Sequence, residues 1–110
     1  MPLTLIDAAA TTLPAATATT LFSRGLRDYG RVDIALTNTG ANAVTAATFE
    51  VGIGARLVND ATRAAAIVAA LSAGGTYSLV MTAESVPNSL RITLTSTSGT
   101  TVETSLLGTQ

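Results

Sequence analysis

Residues 90–102 read Leu90-Arg91-Ile92-Thr93-Leu94-Thr95-Ser96-Thr97-Ser98-Gly99-Thr100-Thr101-Val102. Leu90, Ile92 and Leu94 alternate with Arg91, Thr93 and Thr95, the period of two that marks a half-buried strand with one wet face. Thr97-Ser98-Gly99-Thr100 reads as a hairpin, after which Val102, Thr104 and Leu106 form a closing strand of the same period. The pattern recurs upstream. Tyr77, Leu79 and Met81 alternate with Thr76, Ser78, Val80 and Thr82, and Pro87-Asn88 turns the chain. Val32, Ile34 and Leu36 alternate with Asp33, Ala35 and Thr37, followed by the turn residues Asn38-Thr39-Gly40-Ala41-Asn42, with Gly40 suited to positive φ. Another strand is expected where Ala47, Phe49, Val51 and Ile53 face in while Thr48 and Glu50 face out. Gly52 and Gly54 in its far half suggest a bulge or a close approach by another backbone. Short strands at about ten-residue spacing predict a mainly β fold, an antiparallel sandwich or a barrel.

One stretch departs from this pattern. Asn59 or Asp60 makes a good N-cap, the alanines that follow favour helix, and Gly74-Gly75 could end it. Val58, Ala61, Ala65, Val68 and Leu71 then share one face. The stretch reads as one short helix near 59–71, or as a strand and loop.

The first 22 residues carry no clear period. Leu3, Leu5 and Ile6 open them, and Ala/Thr-rich sequence around Pro14 follows. They read as an extended N-terminal arm, residues 1–22, with an edge strand at Leu3–Asp7, or as a disordered terminus. Residues 23–110 are then the β-sandwich domain. This segment lacks a basic start and carries Asp7 early, so it does not read as a secretory signal. The longest charge-free run, Ala64 to Ala83, contains Gly74 and Gly75 and is no membrane-spanning helix.

Composition narrows the chemistry. Among 110 residues there are 20 Ala and 20 Thr, with no Cys, His, Trp or Lys. Disulfides, Cys/His zinc sites, His-based triads and Lys Schiff bases are therefore excluded. The formal net charge of −1 does not provide a nucleic-acid footprint. Charged residues are only 12% of the chain, so little keeps its surface apart from neighbours. Ser and Thr have no His, Lys or Cys to activate them. The carboxylates Asp7, Asp28, Asp33, Glu50, Asp60, Glu84 and Glu103 are scattered over turns and outward strand positions. Gly52-Ile53-Gly54 lacks the third glycine and the βαβ setting of a dinucleotide loop. No catalytic residue, cofactor or metal ligand is expected.

The densest charge lies at Arg24, Arg27, Asp28, Arg31 and Asp33. Arginine offers a planar fork for a partner's carboxylates, and Tyr29 is a rigid aromatic able to anchor an interface. Pairing within the domain, Arg27 or Arg31 with Asp28 or Asp33, accounts for the same residues. The candidate partner-binding residues are Leu3, Leu5, Ile6, Arg24, Arg27, Asp28, Tyr29 and Arg31.

Three pieces carry a resemblance: Leu36–Ala43 followed by Phe49-Glu50-Val51, then Leu71-Ser72-Ala73-Gly74-Gly75-Thr76-Tyr77, and the opening stretch Leu90–Val102. Together they resemble small immunoglobulin-like β-sandwich domains, without the Cys…Trp…Cys hallmark. The Ala/Thr-rich, Lys-free style resembles small structural proteins of tailed bacteriophages, nearest in size to capsid decoration (cement) proteins. The resemblance covers residues 32–107. It implies a virion protein, made in the host cytoplasm, that sits on the capsid surface as a homo-oligomer, with a trimer favoured. The major capsid protein would be its partner, with no nucleic acid, membrane or small-molecule substrate. Other virion parts (tail, fibre, head completion) and a carbohydrate-binding or adhesive β-module remain open alternatives.

Overall fold

The alternating apolar residues become strands and the alanine-rich segment becomes a helix. A computed structural model describes residues 4–53, 55–82 and 86–109, and the backbone alone of Ile53. Leu3, Gly54 and Glu84 lie outside the described residues. In chain order the elements are β1 (Thr4–Leu13), β2 (Thr19–Gly25), β3 (Arg31–Asn38), β4 (Ala46–Ile53), β5 (Arg56–Asn59), α1 (Ala61–Ala70), β6 (Thr76–Thr82), β7 (Ser89–Thr95) and β8 (Thr100–Thr109). They form two four-stranded antiparallel sheets, in the orders β1-β8-β3-β6 and β2-β7-β4-β5. The inner faces hold the core expected from the alternation. Val32, Ile34, Leu36, Phe49, Met81, Leu90, Ile92, Leu94, Val102 and Leu106 are all buried between the sheets. The fold is a β-sandwich whose sheets keep their edges and do not close into a barrel.

The connections decide which sandwich it is. Only β4 and β5 pair as sequence neighbours; every other connection carries the chain from one sheet to the other. This winding is that of an eight-stranded jelly roll. An immunoglobulin sandwich has the same two packed sheets, but its first two strands share a sheet. Here the first strand pairs with the last, from Thr4↔Gly108 to Leu13↔Thr100. The expected hairpin at Thr97–Thr100 is therefore corrected. Those residues make a tight turn, with Gly99 at φ 84° and its N–H donating to the Ser96 carbonyl at 3.3 Å, but β7 and β8 lie in different sheets.

Residues 4–13 do not project as an arm. Thr4–Leu13 is paired along its length with β8, Leu13 is core, and the expected boundary after residue 22 falls inside β2. Low complexity hid the strand, because Ala and Thr blur the contrast on which a period of two depends. β1 and β2 are neighbouring edges of opposite sheets, and Arg24 Nη2 meets Asp7 Oδ2 across them at 3.0 Å.

The helix reading holds, with a corrected face. Asp60 is the N-cap, accepting from the Arg63 N–H at 3.1 Å, while Asn59 Oδ1 accepts from the Phe49 N–H at 2.9 Å. Ala64, Ile67 and Leu71 are buried, whereas Val58, Ala61 and Ala65 of the expected face are exposed. Alanine suits either face, so the phase rests on the larger Ile67, which enters the core. Two glycine expectations also change reason. Gly40 is not in the positive-φ region; a Cβ there would collide with the Thr100 hydroxyl and stand 2.8 Å from the Thr101 nitrogen. A Cβ on Gly52 would collide with the Ser89 hydroxyl, so the close approach is by a side chain of β7.

Candidate functional site

The charged cluster read at Arg24–Asp33 is divided by the fold. Arg24 turns to Asp7 on β1. Arg31 binds its near neighbour Asp33 through both carboxylate oxygens, at 2.9 and 3.1 Å, and this holds the guanidinium pKa above its ordinary value. Tyr29 packs beside Ile6 over Gly108, where a Cβ would stand 2.6 Å from the ring. Both side chains are half-buried against the core, so neither offers a bare anchor. Leu5 does remain 59% exposed on β1.

Elsewhere, charge is also consumed in pairs. Arg91 Nε and Nη2 each donate to a Glu50 oxygen at 2.9 Å, across the outer face between β7 and β4. Those hydrogen bonds hold the Glu50 carboxyl below its ordinary range; partial burial opposes them, while the Arg91 charge and Thr48 assist. Arg63 reaches Asp60 at 3.6 Å and lies 5.5 Å from the centroid of the Phe49 ring. Burial pushes the Tyr77 phenol up. Four of the six arginines are thus ion-paired.

Arg27 and Asp28 are different. Neither side chain has a partner among the described residues. Together with Gly25, Asn88 and Ser89 they line an open depression of about 400 Å³. The depression is framed by backbone. Gly25 ends β2 in register with Ser89, the Leu26 N–H donates to the Asn88 carbonyl at 2.8 Å, and Leu26 itself is fully buried. The Tyr29 N–H then closes the turn onto the Leu26 carbonyl at 3.2 Å. Sequence reading marked Arg27 and Asp28 but missed Gly25, Asn88 and Ser89. Pro87-Asn88 announced a turn, yet nothing local places that turn against residue 25.

Among the described residues, no three acidic side chains gather to hold a metal ion, and no helix is long and apolar enough to cross a membrane. The large exposed apolar residues among those described are Leu5, Leu57, Val58 and Val80. They sit on β1, β5 and β6, all of them edge strands. The fold and this surface define an eight-stranded jelly-roll sandwich with apolar side chains on its edge strands and a polar depression at Gly25, Arg27, Asp28, Asn88 and Ser89. No protein-family model matches the chain, and no curated protein matches it in sequence.

Proposed function

We propose that this chain is a non-enzymatic virion structural protein, a decoration protein that binds the outer surface of an assembled phage head and reinforces it by bridging subunits. The observation that carries the reading is that, among the described residues, each large exposed apolar side chain lies on an edge strand. Strands at sheet edges present unpaired backbone groups, and proteins that stay single blunt them with charge or proline. β6 has seven residues with neither, and β1 carries one charge in ten, already paired to Arg24. Such edges suit strand addition, in which backbone hydrogen bonds supply affinity and exposed side chains supply fit. Jelly rolls occur in viral capsid domains and also in lectins and cupins, so the fold is compatible with the role without specifying it. A protein that binds only the assembled shell stabilises it by mass action. The grip is assigned to the outer edge of β1 with Leu5, and self-association to the β5/β6 side with Leu57 and Val80.

Co-sedimentation with expanded, empty heads tests this reading. The expected result is saturable recovery with the particles, at hundreds of copies per head, weakened roughly tenfold or more by Leu5→Lys. A chain left in the supernatant at micromolar concentration sinks it. A handful of copies per particle would assign the protein to a ring or spike instead.

A further inference from the structure

The depression at Gly25, Arg27, Asp28, Asn88 and Ser89 is the one concavity among those described that gathers a cation, an anion, an amide and a hydroxyl. None of these four side chains has an internal partner among the described residues. That is unusual for a chain whose other arginines, Arg56 apart, are ion-paired. Arg27 and Asp28 are adjacent in sequence and project from a turn whose backbone is tied to Asn88 and to the buried Leu26. The wall at Gly25 carries no side chain at all.

We infer that this depression binds a sugar that carries a carboxylate, of the uronic acid kind. The Arg27 guanidinium supplies the paired donors that a carboxylate accepts. The Asp28 carboxylate accepts from ring hydroxyls and repels a second negative charge, which disfavours a phosphate dianion. Asn88 both donates and accepts through its amide, and the Ser89 hydroxyl does the same, matching neighbouring hydroxyls on one ring edge. No aromatic residue lines the site, so stacking is not its handle and a neutral sugar has no anchor. A volume of about 400 Å³ falls in the range of small-molecule sites. The site is independent of the head-binding edges, and its occupancy does not rest on the virion reading.

Titration of the full chain with sodium glucuronate, followed by amide chemical shifts and calorimetry, tests the inference. Parallel arms use glucose, acetate and a disaccharide ending in glucuronate. Saturable binding near ~1 mM is expected for glucuronate, with shifts at residues 25–28 and 88–89, and at least roughly tenfold weaker binding for glucose and for acetate. Tighter binding of the disaccharide would assign the site to the end of a glycan chain, and equal binding to the free acid. Arg27→Ala should weaken glucuronate by roughly tenfold. Gly25→Leu should abolish binding while the protein stays folded, because a Cβ at Gly25 meets nothing within 4 Å. Glucuronate binding that survives both substitutions overturns the inference, as does acetate or glucose binding of equal strength, or no saturable response at all.

Discussion

Asn38 is the residue on which one end of the sandwich depends. It is fully buried at the end of β3. Its Nδ2 donates to the Asn42 carbonyl at 2.8 Å and the Leu71 carbonyl at 3.1 Å. Its Oδ1 accepts from the Gly40 N–H at 3.1 Å and the Thr100 hydroxyl at 2.7 Å. Every donor and acceptor of the amide is therefore satisfied, and the end of the helix, the 39–44 loop and the start of β8 are held together. Asn38→Ala leaves several buried groups without partners and should cost about 3 kcal/mol, read as a lower denaturant midpoint. Thr104 is the opposite case, because its buried hydroxyl has no partner among the described residues. Thr104→Val removes that burden at constant shape and should stabilise by about 1 kcal/mol in the same measurement. Both residues were legible in the sequence only as types: a turn asparagine and one more strand threonine. Burial and partners come from chain segments tens of residues away, which a local pattern does not contain.

At the scale of elements, α1 sits between β5 and β6 and puts Ile67 into the core beside β4. A helix was one of two readings of this stretch, with Asn59 or Asp60 as its cap; its rotation was not readable, since six of its ten residues are alanines with no preference between faces. Ile67→Ala should destabilise by about 2–4 kcal/mol, and the half-buried Val68→Ala by clearly less. Equal losses would contradict the observed helix phase. On the outer face of the sheet that contains β4, the Glu50–Arg91 pair joins β4 to β7. The Glu50 carboxyl is held below its ordinary range, so this contribution is complete above the unfolded-state pKa of about 4.3 and fades as pH falls through the lower folded value. The Glu50→Gln variant should lose less stability than the parent between neutral and acid pH, as followed by thermal melts. An unchanged acid slope would remove Glu50 from the account of acid sensitivity.

The whole molecule is closed by its two ends, because β1 and β8 pair along their lengths. Removing residues 1–13 should therefore abolish the cooperative melting transition seen by calorimetry. A truncated chain that melts like the parent would mean that β1 is only an appendage. Joining segments so far apart in sequence also places this domain among slow β folders, in the range of about milliseconds to seconds.

The amino-acid sequence alone determined that this is a β domain, which strand faces are apolar, where an N-cap residue stands, and that the chain offers no Cys, His or Lys side chain. Those features follow from side-chain identity and spacing within a dozen residues. The tertiary structure decided which sheet each strand joins, which strands are edges, which arginines are ion-paired, and that residues 25–28 meet residues 88–89. Backbone hydrogen bonds are the same for every pair of strands, so a period of two names a strand's inner face but not its neighbour. The neighbour is chosen only when both sheets close over one core, and the apolar edges and polar depression exist only after that choice.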